Sequence, residues 1–232
     1  MRAKSDTLAL QRAERETAPR AKRPVGESGA ARMPKDQRRA QILEKAAEFF
    51  AEYGLTAQTR GLAEACGISQ RLLYRFFPTK AALIEEVYRS EIVGPFKAVW
   101  FAQLADRSKP VEARLLAFYR DYYQGVLTRR WLRLFLYASL AEIDMAPSYI
   151  SAIVTQLLEI ILEEAAHEQG LALPGNRSLG HEIAWTLHGA VSHLAIRRHL
   201  YHVETPLPPD EVVALHVRSF LGGLPALLPA RA

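Results

Sequence analysis

The 232-residue sequence predicts an all-α protein, and three observations carry that prediction. Apolar residues recur at intervals of three and four along most of the chain, as one face of a helix requires. Ser, Thr, Gly and Pro stand where those periodic runs start and stop. The alternation of a half-buried strand, Asn-Gly or Asp-Gly hairpin turns, and internal repeats are all missing.

Taken in order, the first element runs from Asp36, with Ile42, Ala46, Phe49, Phe50 and Tyr53 at helical spacing, and Gly54 ends it. A short helix follows from about Thr59 to Cys66, closed by Gly67, a residue suited to the left-handed position after a helix. Ser69 caps a third helix, Gln70 to Phe76, which must stop before Pro78 because a residue preceding proline is pushed out of helical geometry. Thr79 caps a fourth that begins at Lys80, carries Leu83, Val87 and Ile92, and kinks at Gly94-Pro95. Pro110 opens a fifth with Leu115, Phe118, Tyr119, Tyr122 and Tyr123. The remaining helices are expected from Arg130 to about Ile143, Pro147 to about Gln169 (ended by Gly170), Ser178 to Tyr201, and Pro209 to Leu221.

Composition narrows the class. Hydrophobic residues make up 49% and charged ones 24%, the balance of a globular protein. No run of 18 apolar residues exists, so no membrane span is expected. The first thirty residues lack the apolar stretch of a signal peptide, which predicts a cytoplasmic location. A single cysteine, Cys66, excludes an intramolecular disulfide framework, and it reads as a buried hydrophobe. The net charge of +5 is uneven: residues 1–39 hold eleven basic side chains against five acidic ones, so the rest of the chain sums to −1. A basic arm over residues 1–34 suits a polyanion partner, or equally a solvated tail.

Residues 36–82 form one unit. The apolar face of the first helix (Ile42, Leu43, Ala46, Ala47, Phe50) needs partners, which Leu62, Ala63, Ala65, Cys66, Ile68, Leu72, Leu73 and Phe76 or Phe77 supply. Three short helices sharing a core, with a Gly-centred turn between the last two, is the helix-turn-helix plan. The third helix then leaves Gln70, Arg71, Tyr74 and Arg75 on one outward face. Arg forks onto guanine O6 and N7, Gln pairs with adenine N6 and N7, and Tyr and Lys suit phosphates.

From Ile42 to Lys80 the chain resembles the TetR family. Ile42-Leu43-x-x-Ala46-Ala47-x-x-Phe50-x-x-x-Gly54 is similar to that family's first helix, and Thr59-Arg60-Gly61-Leu62-Ala63-Glu64-Ala65-Cys66-Gly67-Ile68-Ser69 to its second helix and turn. Leu73-Tyr74-Arg75-Phe76-Phe77-Pro78-Thr79-Lys80 resembles the end of its recognition helix and the cap of the fourth. The resemblance spans about a fifth of the chain. It implies that residues 35–82 bind double-stranded DNA, with Thr59, Tyr74 and Lys80 at phosphates, Arg60, Gln70 and Arg71 at bases, and Ser69 and Arg75 beside them. Gln58 stands where the family often has Thr, and Arg71-Leu72 where a small residue and a Thr are common, so the operator should differ from those of better-matched relatives.

The same resemblance implies that residues 83–225 hold a small effector, largely apolar, and join two copies into a homodimer, making the chain a repressor released from a palindromic operator. No cofactor is implied. Tyr119, Tyr122, Trp131, Phe135, Trp185 and His188 are the candidate effector contacts, although aromatics at helical spacing also serve as plain core. Gly189, Ala190, Ser192 and Ala195, with Val191, Leu194, Val213, Val217 and Leu221, are the expected dimer surface. An enzyme is the competing class, but the sequence has no HExxH motif, phosphate loop or nucleophile elbow, and no catalytic or metal site is assigned. His199, His202 and Glu204 read as a solvated helix end rather than a metal site. A DNA-binding protein without an effector is the other alternative.

Overall fold

The computed structural model describes residues 33–141, 148–204 and 206–231. The chain divides into two compact units, Met1–Lys35 and Asp36–Ala232. Except for Met33 and Pro34, the arm expected over residues 1–34 lies outside the described residues.

The helices are α1 (Lys35–Tyr53), α2 (Thr59–Ala65), α3 (Gln70–Phe76), α4 (Lys80–Tyr88), α5 (Val99–Leu104), α6 (Val111–Gly125), α7 (Arg129–Leu140), α8 (Thr155–Glu168), α9 (Arg177–His199) and α10 (Pro209–Leu227). A π-helical turn, Arg89–Val93, continues α4, and another, Ile150–Val154, leads into α8. Among the described residues there is no strand, only one antiparallel bridge between Leu171 and Ala230. The fold is all-α.

The local signals act where the sequence places them. Ile42, Ala46, Ala47 and Phe50 of α1 are buried against Leu62 and Ala63 of α2 and Leu73 at the centre of α3. Gly67 has φ +64°, and around it the Gly67 amide donates to Glu64 O and the Ile68 amide to Ala63 O, both at 3.0 Å. That is a Schellman closure, which satisfies the last carbonyls of α2 and turns the chain into α3. Ser69 Oγ accepts from the Leu72 amide at 3.2 Å and Thr79 Oγ1 from the Ala82 amide at 3.0 Å. Gln58 makes no side-chain cap on α2. Gly170 closes α8 in the same left-handed way, at φ +66°.

Three expectations need correction. The last helix does not end at Leu221; it continues through Gly222 and Gly223 to Leu227 with Pro225 inside it. Pro225 has no N–H for the Leu221 carbonyl, but Gln169 Nε2 donates to that carbonyl at 3.1 Å, so the acceptor is not left unpaired. Ala65 is exposed rather than part of the shared core. Val191, Leu194, Ala195, Val213 and Val217 lie inside the protomer's own core instead of on an outer surface. The outward apolar residues of α10 are Leu215 and Leu227. The bend expected at Gly94-Pro95 is preceded by the π turn, whose Gly94 amide reaches Arg89 O at 2.9 Å.

A buried ion cluster staples α6 to α8. Arg114, 4% exposed, donates to Glu164 Oε2 at 2.9 Å and to the carbonyl of Leu104 at the end of α5, while Arg107 forks onto the same Glu164. Those arginines hold the Glu164 carboxyl below its usual range against the opposing effect of burial.

Candidate functional site

On α3 the outward face is the one the sequence predicts: Gln70, Arg71, Tyr74 and Arg75 are exposed while Leu73 is buried beneath them. Arg60 stands exposed on α2, paired at 3.3 Å with Glu64 one turn on, a contact of little energetic weight at this exposure. Thr59 differs from its neighbours. It is 8% exposed, its Oγ1 lies 3.0 Å from Tyr74 Oη, and it accepts from Gln70 Nε2 at 3.0 Å. With one proton and two lone pairs, the Thr59 hydroxyl can hold both side chains at once, accepting from Gln70 while either hydroxyl donates in its bond with Tyr74. Thr59 therefore positions the side chains of Gln70 and Tyr74. Lys80 is half-buried at the start of α4, and that burial lowers its pKa while nearby Tyr74 opposes the shift. Ser69 spends its hydroxyl on the helix cap.

Cys66 is half-buried against the core, less enclosed than the expected buried hydrophobe, and burial pushes its thiol up while Lys45 opposes the shift.

The six candidate effector contacts fall into two touching groups. His188, 3% exposed, has the rings of Tyr122 and Trp185 at 5.3 Å and that of Tyr119 at 6.1 Å. Trp131 and Phe135 stack at 4.7 Å with ring planes 11° apart, and both meet Tyr149 edge-on. Tyr149, which sequence reasoning missed, joins the groups, because its hydroxyl lies beside that of Tyr122 without the geometry of a full hydrogen bond. Burial pushes the Tyr149 hydroxyl up to about 12 and holds His188 down at about 4. Trp185 also donates to His181 Nε2 at 3.1 Å.

Helix α7 connects this aromatic cluster to the helix-turn-helix. One face carries Trp131 and Phe135; the opposite face carries Arg129, Arg130 and Arg133. Arg133 Nε donates to Ala51 O, and its Nη2 reaches Glu52 O at 2.7 Å and Tyr137 Oη at 2.8 Å, so one guanidinium caps the carbonyl end of α1. Arg130 bridges Glu44 of α1 at 2.7 Å and Glu91 of the π turn at 3.4 Å, and Arg129 meets Glu52 at 3.2 Å. Burial raises the Glu91 carboxyl, with Arg130 opposing. Arg39 of α1 pairs with Glu86 of α4. Sequence reasoning overlooked the three arginines, although their i, i+1, i+4 spacing opposite the aromatics was there to be read.

A basic outward face on a helix-turn-helix is an arrangement suited to the major groove of DNA. Residues 42–87 match the model for bacterial regulatory proteins of the tetR family. A stretch of 78 residues is 35% identical to the HTH-type transcriptional repressor KstR2 of Rhodococcus jostii (strain RHA1), covering 32% of this chain and 38% of that protein. Among solved structures, a TetR-like transcriptional regulator from Rhodococcus sp. RHA1 has a TM-score of 0.61 at 19% identity, over 84% of this chain and 99% of that one. A TetR-family regulator from Bordetella parapertussis 12822 has a TM-score of 0.59 at 22% identity, over 83% and 98%. These two show a shared fold. Residues 42–87 thus carry the helix-turn-helix segment of the tetR family, and the 78-residue match spans little more than a third of the repressor it resembles.

Proposed function

We propose that this protein is a ligand-responsive repressor that binds a palindromic operator as a homodimer and is released by a small effector. The observation that carries the reading is the outward set on α3, with Arg71 and Arg75 exposed and Tyr74 oriented by Thr59. In this reading Arg60, Gln70 and Arg71 meet base edges, and Tyr74, Lys80 and the first turn of α3 meet phosphates. Residues 35–82 read DNA; residues 83–225 hold the effector and the second copy. Exposed Leu215 and Leu227 on α10 support a self-association face there.

Effector release follows from α7. A molecule entering between Trp131, Phe135 and Tyr149 must displace rings on the same helix that caps α1 through Arg133 and grips the π turn through Arg130. Only an effector that favours the shifted arrangement of α7 over the resting one drives release. The repressor half of the reading is supported by the stretch shared with a named repressor.

The test is selection of bound duplexes from a random DNA library, followed by affinity measurement on the winner. An enriched two-fold palindrome, with two chains per duplex, is expected. Binding without enrichment, fading uniformly as salt rises, would replace this reading with that of a non-specific DNA binder.

A further inference from the structure

Helix α9 carries opposite charges toward the two ends of the face it turns away from the core: Glu182 near its start and Arg197 near its end. Neither charge is matched by a partner of opposite fixed charge among the described residues. Glu182, its side chain 78% exposed, has only the adjacent His181 ring, at 4.0 Å. Arg197 is half-buried, forms no ion pair, and has its Nε enclosed without a hydrogen-bond partner. Its neighbour is another base, His216 of α10, whose charged form is disfavoured by burial and then by Arg197.

Residues three and four apart share one face of a helix, and the outward face of α9 is ordered symmetrically about the bond between Gly189 and Ala190. Gly189 and Ala190 form the innermost pair, and a Cβ placed on Gly189 meets nothing within 4 Å, so the helix is open on that side. Thr186 and His193, both exposed and polar, lie next, at equal distances from the midpoint. Glu182 and Arg197 follow, and then exposed Leu179 and half-buried Leu200. Each position thus has a counterpart of matching chemistry: small with small, polar with polar, acid with base, apolar with apolar. Such order suits a self-pairing face, because a two-fold axis sets residue i against j and j against i. A different partner protein has no need of it.

We propose that two copies of the chain pair through α9, antiparallel and centred on Gly189 and Ala190, with Glu182 of each copy bound to the partner's Arg197. The small central pair allows the helix axes to approach to the short end of the usual 8–10 Å, roughly, and the long charged side chains then span the gap on either side. The inference rests on the homodimer reading above and adds the surface and the contacts that make the dimer.

The experiment is sedimentation equilibrium on the full chain and on Glu182→Arg, Arg197→Glu and Gly189→Leu. Each charge reversal sets like charges together twice across the axis, and dimerisation should weaken about a hundredfold. An equimolar mixture of the two charge variants restores opposite charges at both contacts, so their heterodimer should form within about tenfold of the original affinity. Recovery on mixing also shows that each variant is folded. Gly189→Leu has room within the single chain and should weaken the dimer by holding the helices apart. A dimer unmoved by all three substitutions overturns the α9 pairing and leaves the homodimer standing on another face. Weakening by the charge variants without recovery on mixing overturns the contact between Glu182 and the partner's Arg197. An unmodified chain that stays monomeric at every concentration overturns the homodimer reading itself.

Discussion

The indole nitrogen of Trp131 donates to the main-chain carbonyl of Ile92 at 3.3 Å. One partner belongs to the aromatic cluster; the other lies in the π turn that continues α4, the helix that begins at Lys80. A π turn shifts the hydrogen-bond register by one residue, and here the indole serves a carbonyl within that irregular stretch. The bond thus ties the aromatic cluster to the helix that leads out of the helix-turn-helix.

Trp131→Phe should keep the fold, lose about 1–3 kcal/mol of stability, and accelerate amide exchange across residues 89–96. Urea unfolding and hydrogen exchange measure both. Unchanged exchange in that segment would mean that Trp131 does not hold the π turn.

Arg133→Ala strips the carbonyl end of α1 of its cap. The expected cost is about 1–3 kcal/mol, as charge-assisted hydrogen bonds to main-chain oxygens are lost. Arg133→Lys should recover only part of it, because an ammonium cannot fork onto Ala51, Glu52 and Tyr137 at once. Full rescue by lysine would reduce the contact to simple charge.

At the reading face two substitutions should separate positioning from readout. Thr59→Val, nearly the same volume, removes the hydroxyl that orients Tyr74 and Gln70, and operator affinity should fall about three- to tenfold. Arg71→Ala should cost about 1–3 kcal/mol and relax preference at one base pair. Library selection with each variant checks this; an Arg71→Ala loss that is equal on all sequences would move Arg71 to the phosphates.

His188 gives stability a defined pH dependence. Its folded value, about 4, lies below the ordinary 6.5, so an unfolded chain takes up a proton that the folded one refuses. The contribution is fully present above about pH 6.5 and is lost progressively toward pH 4, by an amount on the order of 3 kcal/mol. His199 and His216 are shifted in the same direction and add to the slope. Replacing His188 with Gln should flatten the fall in urea midpoint between pH 7 and pH 4.5. An identical slope in the variant would show that other groups carry the acid sensitivity.

The sequence by itself determined most of the helices, the caps of α3 and α4 and the outward face of α3. Gly67, Ser69 and Thr79 act within four residues of where they stand, and a turn of two short helices leaves Gln70, Arg71, Tyr74 and Arg75 little choice of direction. Only the tertiary structure decided what those helices meet. On α9 apolar residues occupy several faces, so periodicity cannot say that Val191 and Leu194 point inward. The continuation of α10 through Pro225 depends on Gln169, 52 residues from the carbonyl it serves. The gathering of Tyr119 and Tyr122 around His188 and the cap that Arg133 places on α1 likewise join residues far apart in the chain. Capping and turn chemistry are local and leave a local signature; the rotation of one helix against another is set by packing, which exists only once the chain has folded.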